Sequence, residues 1–201
     1  KESFEKIDFW DNLIQSNSDI LVHVKKSSDI LEAKNANKIG IIYGFQNSAP
    51  IANDIFLVEK FFNKGLRFMQ LTYNNQTPLA GGCYEKHDSG VSRFGEMVIE
   101  EMNRLGMIVD LSHAGKQTCL DAINFSKKPV AISHANPSSF HQSIRNIDDE
   151  VLKKLANQNG FIGLSLYPYH LKNHGDCKLE DFSEMIKQLV NMIGEDSIGI
   201  G

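Results

Sequence analysis

The sequence predicts an α/β fold of parallel type, a (β/α)8 barrel with about six of its eight strands present. Three observations carry this. Short β-rich runs alternate with longer amphipathic stretches along the chain, an order that implies parallel strands joined by right-handed crossovers. The runs are apolar enough to be buried on both faces, as strands covered by helices must be. No G-x-G-x-x-G and no G-x-x-x-x-G-K-[ST] is present, which argues against an open, doubly wound sheet.

The elements follow in order. Within residues 1–38, "DFWDNLIQ" and "SSDILEAKNAN" read as two helices that follow strands outside this stretch. Strands are expected at Ile39–Phe45, Arg67–Tyr73, Met107–Ser112, Pro129–Ser133, Phe161–Tyr167 and Ser197–Gly201. Between them lie five helices, each with start and stop signals. The first opens on Asn53-Asp54 and stops at Gly65, and the second opens on Ser92 and stops at Gly106. The third runs from Gly115 to Lys128, the fourth from Asp148 to Gly160, and the last closes at Gly194. A full barrel takes about 250 residues, so the 201 residues are expected to form one partial barrel domain, 1–201.

With 41% hydrophobic and 23% charged residues the chain has the composition of a globular protein with a real core. Its net charge of −4 offers no basic footprint for nucleic acid or an anionic membrane. No run approaches the roughly 18 apolar residues of a membrane span, and the amino terminus lacks a secretory layout. Cys83, Cys119 and Cys177 are widely spaced and outside any C-x-x-C pattern, so no disulfide framework is expected.

Chemistry in a barrel collects at the carboxyl ends of the strands. The residues there are Gln46, Tyr73, His113, His134 and Tyr167. Strict alternation would put His113 on the side of Val109 and Leu111, and His134 on the side of Val130 and Ile132, so that both crown an interior column. A single histidine at a strand end is most often a packing residue. Two at equivalent positions of successive βα units could share a zinc-like ion, although zinc takes three or four ligands. His23 and His87 lie in polar surroundings, while His141, His170 and His174 fall in loops, where exposure is the ordinary outcome. Arg145 precedes a helix capped by Asp148; it is either a surface arginine or a fork for a substrate carboxylate. The long connection Asn74–Val91 has the size of a functional wall.

"GVSRFGEMVIEEMNRLGMIVDLSH", "KPVAISHANP" and "RNIDDEVLKKLANQNGFIGL" together resemble the membrane-dipeptidase (renal dipeptidase) family of zinc metallopeptidases. The resemblance runs from about Ile39 to the carboxyl end. It implies a (β/α)8 barrel of the metallo-dependent hydrolase type that uses two zinc ions to hydrolyse dipeptides, often with a D-residue at the carboxyl side. His113 and His134 match its two histidine ligands to one zinc, Arg145 matches its carboxylate-binding arginine, and Tyr167 resembles a pocket tyrosine. The family's bridging glutamate is replaced by Gln46 in "GFQN", which should weaken a second metal. Its histidine after "LT" is replaced by Tyr73, a phenol that can donate a hydrogen bond but carries no positive charge. Both traits match a bacterial branch of the family.

The family's amino-terminal H-x-D pair has no match here, and its catalytic aspartate is expected beyond Gly201. The stretch alone is therefore expected to be inactive or poorly folded. A small dipeptide is the expected partner, with a homodimer left open, in a soluble protein of the bacterial cytoplasm or periplasm. Two rival functions stand beside this: a metal-dependent amidohydrolase acting on another small amide such as an acyl amino acid, and a metal-free barrel remnant that binds peptides without catalysis.

Overall fold

The computed structural model describes residues 2–172 and 176–201. Six strands form one parallel sheet whose spatial order equals the chain order: β3 (Tyr43–Phe45), β4 (Leu66–Gln70), β5 (Ile108–Asp110), β6 (Ala131–Ala135), β7 (Phe161–Leu164) and β8 (Ile198–Ile200). A doubly wound sheet reverses its order in the middle; an unreversed run is the arc of a singly wound (β/α) barrel. The connecting helices are α3 (Phe56–Asn63), α4 (Arg93–Leu105), α5 (Lys116–Phe125), α6 (Asp149–Asn157) and α7 (Leu179–Ile193). All five fall within the expected stretches, although α3 is capped at Ile55 rather than at Asn53-Asp54 and α5 ends at Phe125 rather than Lys128.

The amino-terminal region differs from expectation. Helices α1 (Glu2–Ser16) and α2 (Ser27–Asn35) are present, but a strand, β1 (Leu21–His23), lies between them and pairs in parallel with β2 (Ile39–Ile41). The run Ile39–Phe45 is thus two strands broken at Ile42, and β3 turns away to pair with β4. Each is only three residues long, too short for period-2 patterning to separate from one strand with a kink.

Packing follows the helical period. In α4, Gly95, Val98, Ile99 and Met102 are buried, one stripe at i, i+3, i+4 and i+7. Ser92 caps this helix by accepting from Gly95 N at 3.0 Å. Gly106 ends it in the left-handed region, φ 80°, with Met107 N donating to Met102 O at 2.9 Å. Gly95 is required by proximity, because a Cβ there would sit 2.2 Å from the Leu79 carbonyl oxygen. In α6, Asp148 accepts from Glu150 N at 2.9 Å, the expected cap. The strands contribute Met69, Val109, Ile132, Ile162 and Leu164 to the same core, and Leu111, just past β5, joins them, all almost fully buried. The three cysteines are free.

Ser92→Ala should destabilise the protein by about 1 kcal/mol through loss of the cap, and Gly95→Ala by about 1–3 kcal/mol through overpacking against backbone. Urea denaturation of the two variants checks both the values and their order.

Candidate metal and substrate site

Strand β5 ends on a carboxylate. Asp110, 4% exposed, closes an otherwise apolar run, and burying it requires that its oxygens be filled. They are. Oδ1 accepts from Ser112 N (3.0 Å), Ser112 Oγ (2.8 Å) and Ser133 N (3.0 Å). Oδ2 accepts from Ser133 Oγ (2.5 Å) and from Gln70 Nε2 (3.2 Å). Gln70 ends β4 and Ser133 lies in β6, so one side chain ties together the carboxyl ends of three strands.

His113 and His134 meet directly above this knot, their Nε2 atoms 2.9 Å apart. Strict alternation does not bring them there. After Asp110 the chain leaves the strand, and His113 adopts φ 64°, a left-handed conformation uncommon outside glycine. In β6 the register against β7 slips between Ile132 and Ala135, three steps against two, so Ser133 and His134 sit in a bulge. Gly163 of β7 makes room for it: a Cβ there would lie 2.1 Å from Ser133 O. A turn and a bulge, each outside regular strand geometry, aim the two rings at one point.

The surroundings hold each ring. His113 Nδ1 faces Asn74 Oδ1 at 2.6 Å, and Tyr73 stacks on the same imidazole at 3.9 Å and 22°. The His113 carbonyl accepts from Thr72 Oγ1 (3.1 Å) and Cys83 N (3.0 Å). His134 Nδ1 lies 2.9 Å from Ser133 Oγ, and His134 N donates to Ser112 Oγ at 3.1 Å. The connection Asn74–Val91 therefore forms a wall of the site, fastened by pairing of Gly82 with Ala114.

Arg145 is 5% exposed and lies against the pair, its Nη2 donating to the His134 carbonyl at 3.2 Å. Its Nη1 is buried and meets no hydrogen-bond partner among the described residues. The surface alternative for this arginine is thus removed. Burial, reinforced by the nearby positive charge of Arg145 and then of His134, pushes His113 down to about 3. Burial, with Asp110 pulling the other way, also lowers His134. Both rings are therefore held in the form that has a lone pair to give.

The remaining candidates lie farther out. Tyr167 is exposed and packs on His170 at 4.8 Å. Gln46 is exposed just past β3 and shares with Tyr73, Trp10 and Phe45 a cleft of about 620 Å³; no hydrogen bond joins it to the histidine pair. His87 is exposed and His141 is half-buried, while His174 lies outside the described residues. His23 is half-buried with polar partners on both nitrogens, Nε2 3.3 Å from the Gly65 carbonyl and Nδ1 3.5 Å from Asp11 Oδ1, while its ring tilts against Tyr43 at 3.8 Å. Sequence reasoning missed Asp110, Ser133 and Asn74. An acid inside "MIVDL" was the available signal, since a buried carboxylate always demands partners.

Two convergent imidazole nitrogens are a donor set that borderline divalent ions such as zinc accept. No third histidine, cysteine, aspartate or glutamate joins them among the described residues.

Fold and site together define a (β/α)-barrel protein with paired histidines at adjacent strand ends. The pattern of the membrane dipeptidase family, peptidase family M19, matches residues 1–201, and the chain belongs to that family. An uncharacterized dipeptidase of Schizosaccharomyces pombe is 29% identical over 211 residues, covering all of this chain and 50% of the yeast protein. An amidohydrolase of Pseudomonas aeruginosa is 41% identical with a TM-score of 0.95, covering 100% of this chain and 61% of that one. A metallo peptidase of Rhodobacter sphaeroides, solved with a phosphinate mimic of the dipeptide L-Ala-D-Ala, shares the fold at 21% identity and a TM-score of 0.85, over 90% of this chain and 54% of its own. The chain thus spans about half to three-fifths of the length of these relatives.

His170 supplies a pH prediction. Burial, then the charge of Arg145, pushes it down to about 4 from an ordinary 6.5. The unfolded chain therefore binds the proton more readily, so stability is full above pH 6.5 and is lost as the pH falls toward 4. His170→Gln should flatten the fall of Tm across that window, as read by thermal melts at stepped pH.

Proposed function

We propose that the protein is a metal-dependent dipeptidase in which His113 and His134 hold zinc and Arg145 anchors the substrate's terminal carboxylate. The observation that carries this reading is the convergence of the two Nε2 atoms beside a buried guanidinium with one nitrogen to spare. An arginine stripped of water and lacking an acid partner is poised to recover its hydrogen bonding from an anionic ligand. His113 and His134 would hold the zinc, which when bound would supply Lewis-acid polarisation of a carbonyl and a nucleophile available at neutral pH.

The chain's own residues do the rest. Arg145 Nη1 fixes the carboxyl end of the dipeptide, which sets the scissile bond at a constant distance from the histidines. Tyr73, stacked on His113, keeps that ring in plane and offers its hydroxyl as a donor to the developing oxyanion. Tyr167 lines the mouth. By the family resemblance Gln46 takes the place of a bridging carboxylate, and a neutral amide there would hold a second metal less well than the first. A D-residue at the carboxyl side is the first substrate to try, because the Rhodobacter relative holds an L-Ala-D-Ala mimic. A second reading, hydrolysis of another small amide such as an acyl amino acid, draws on Gln46, Tyr73 and the amidohydrolase relative.

Elemental analysis of the full-length protein should find zinc that is lost in His113→Ala and in His134→Ala; equal metal in all three removes the ligand assignment. Arg145→Met should lower kcat/KM on L-Ala-D-Ala about 10–100-fold, the worth of one hydrogen bond to a charged group. It should leave the dipeptide amide unaffected. Faster turnover of an N-acyl amino acid than of any dipeptide would favour the second reading.

A further inference from the structure

We infer that Asp110 and Asn74 are positioning residues that hold both histidines in the tautomer protonated on Nδ1, Asp110 acting through the Ser133 hydroxyl and Asn74 directly. The inference rests on the metal reading of the histidine pair and adds to it what decides the direction of the two lone pairs.

The argument is a count of protons. Ser133 has one hydroxyl proton, and its 2.5 Å contact with Asp110 Oδ2 takes it, because a carboxylate oxygen only accepts. Ser112 spends its own proton on Oδ1. Ser133 Oγ, 2.9 Å from His134 Nδ1, can then only accept, so the proton of that contact belongs to Nδ1. At His113 the partner is Asn74 Oδ1. The Cys83 thiol approaches the same oxygen at 3.6 Å, as a weak donor does. An amide oxygen accepts, so Nδ1 of His113 carries the proton as well.

Both Nε2 atoms are left with lone pairs, and these face each other across 2.9 Å. Two lone pairs so placed repel unless a cation lies between or beside them. In a metal site the outer hydrogen bond selects the tautomer and raises ligand basicity; here the two outer partners are chemically different yet give the same result.

The backbone shows that Asn74 is built into place. It sits at φ 65°, a conformation asparagine tolerates better than most residues. Its carbonyl accepts from Tyr84 N at 2.8 Å. Gly82 lets the wall close on it, since a Cβ there would lie 2.0 Å from Asn74 O.

Asp110→Asn tests the relay with nearly no change of shape. Oδ1 is committed to two backbone N–H groups, so the amide nitrogen must replace Oδ2 and donate to Ser133. The freed Ser133 proton then turns to His134 Nδ1 and drives the ring's own proton to Nε2. Asn74→Gly removes the other acceptor and keeps the left-handed backbone, while Asn74→Asp restores an acceptor. With zinc and a competing chelator, the full-length Asp110→Asn and Asn74→Gly proteins should each bind about 10–100-fold more weakly. Asn74→Asp should stay at the wild-type level, and Tm of the metal-free proteins controls for folding. Nitrogen-15 spectra of histidine in the unmutated, metal-free protein should show both protons on Nδ1. Zinc affinity unchanged in both weakening variants, or a proton on Nε2 of either ring in the unmutated protein, overturns the inference. If a variant does not fold, the unmutated spectrum still decides. Failure of the unmutated protein to bind zinc would instead refute the metal reading itself.

Discussion

The Asp110 carboxylate is the constraint on which the site depends. Leaving a carboxylate in an apolar interior without partners costs several kcal/mol, and this one is satisfied by five donors drawn from β4, from β6 and from its own turn. Regular pairing of β5 with β6 is confined to Asp110 and Ala131; beyond them Ser133 N donates to the Asp110 side chain instead of to backbone. Asp110 takes over where the ladder stops. It holds the strands close enough for the two histidines to touch while leaving their backbones free to turn and bulge.

The two ends of the sheet are used differently. At the carboxyl end, polar groups converge and several of them, Arg145 Nη1 and Gln70 Oε1 included, meet no hydrogen-bond partner among the described residues. Near the amino end, Tyr43 Oη donates to Asp11 at 2.9 Å and His23 packs on the tyrosine ring while facing the Gly65 carbonyl. The second cluster fastens α1 and β1 to the start of β3 and β4. Its polar groups answer one another, as a stabilising contact requires, whereas Arg145 Nη1 at the other end has no such answer among the described residues.

Legibility differed by element for physical reasons. Helices α3 to α7 were readable because each carries start or stop signals around apolar positions at helical spacing, and Ser92 and Asp148 cap α4 and α6 with their side chains. Strand β1 was not, since three residues between two helices leave no period to detect. The histidine pair was found from its place at two strand ends, but by a route the structure does not take: alternation assumes an unbroken strand, and a positive φ and a bulge both break it. Arg145 was left between two readings because burial is a tertiary property. Asp110 and Ser133, at and near strand ends, and Asn74, in a loop, announce no role by residue type alone until the fold brings them to the imidazoles.

By itself the sequence determined the alternation of strands and helices from β3 onward, hence a singly wound parallel barrel, because periodicity and start and stop signals are local and survive without neighbours. It also determined the resemblance to the membrane dipeptidases and with it which histidines and which arginine to watch. Only the tertiary structure decided that the histidines meet at Nε2, that Arg145 is buried with a nitrogen unpaired among the described residues, and that a single aspartate holds three strand ends together. Each of those depends on contacts between residues 21 to 40 positions apart or on burial by distant helices, which no window of neighbouring residues contains.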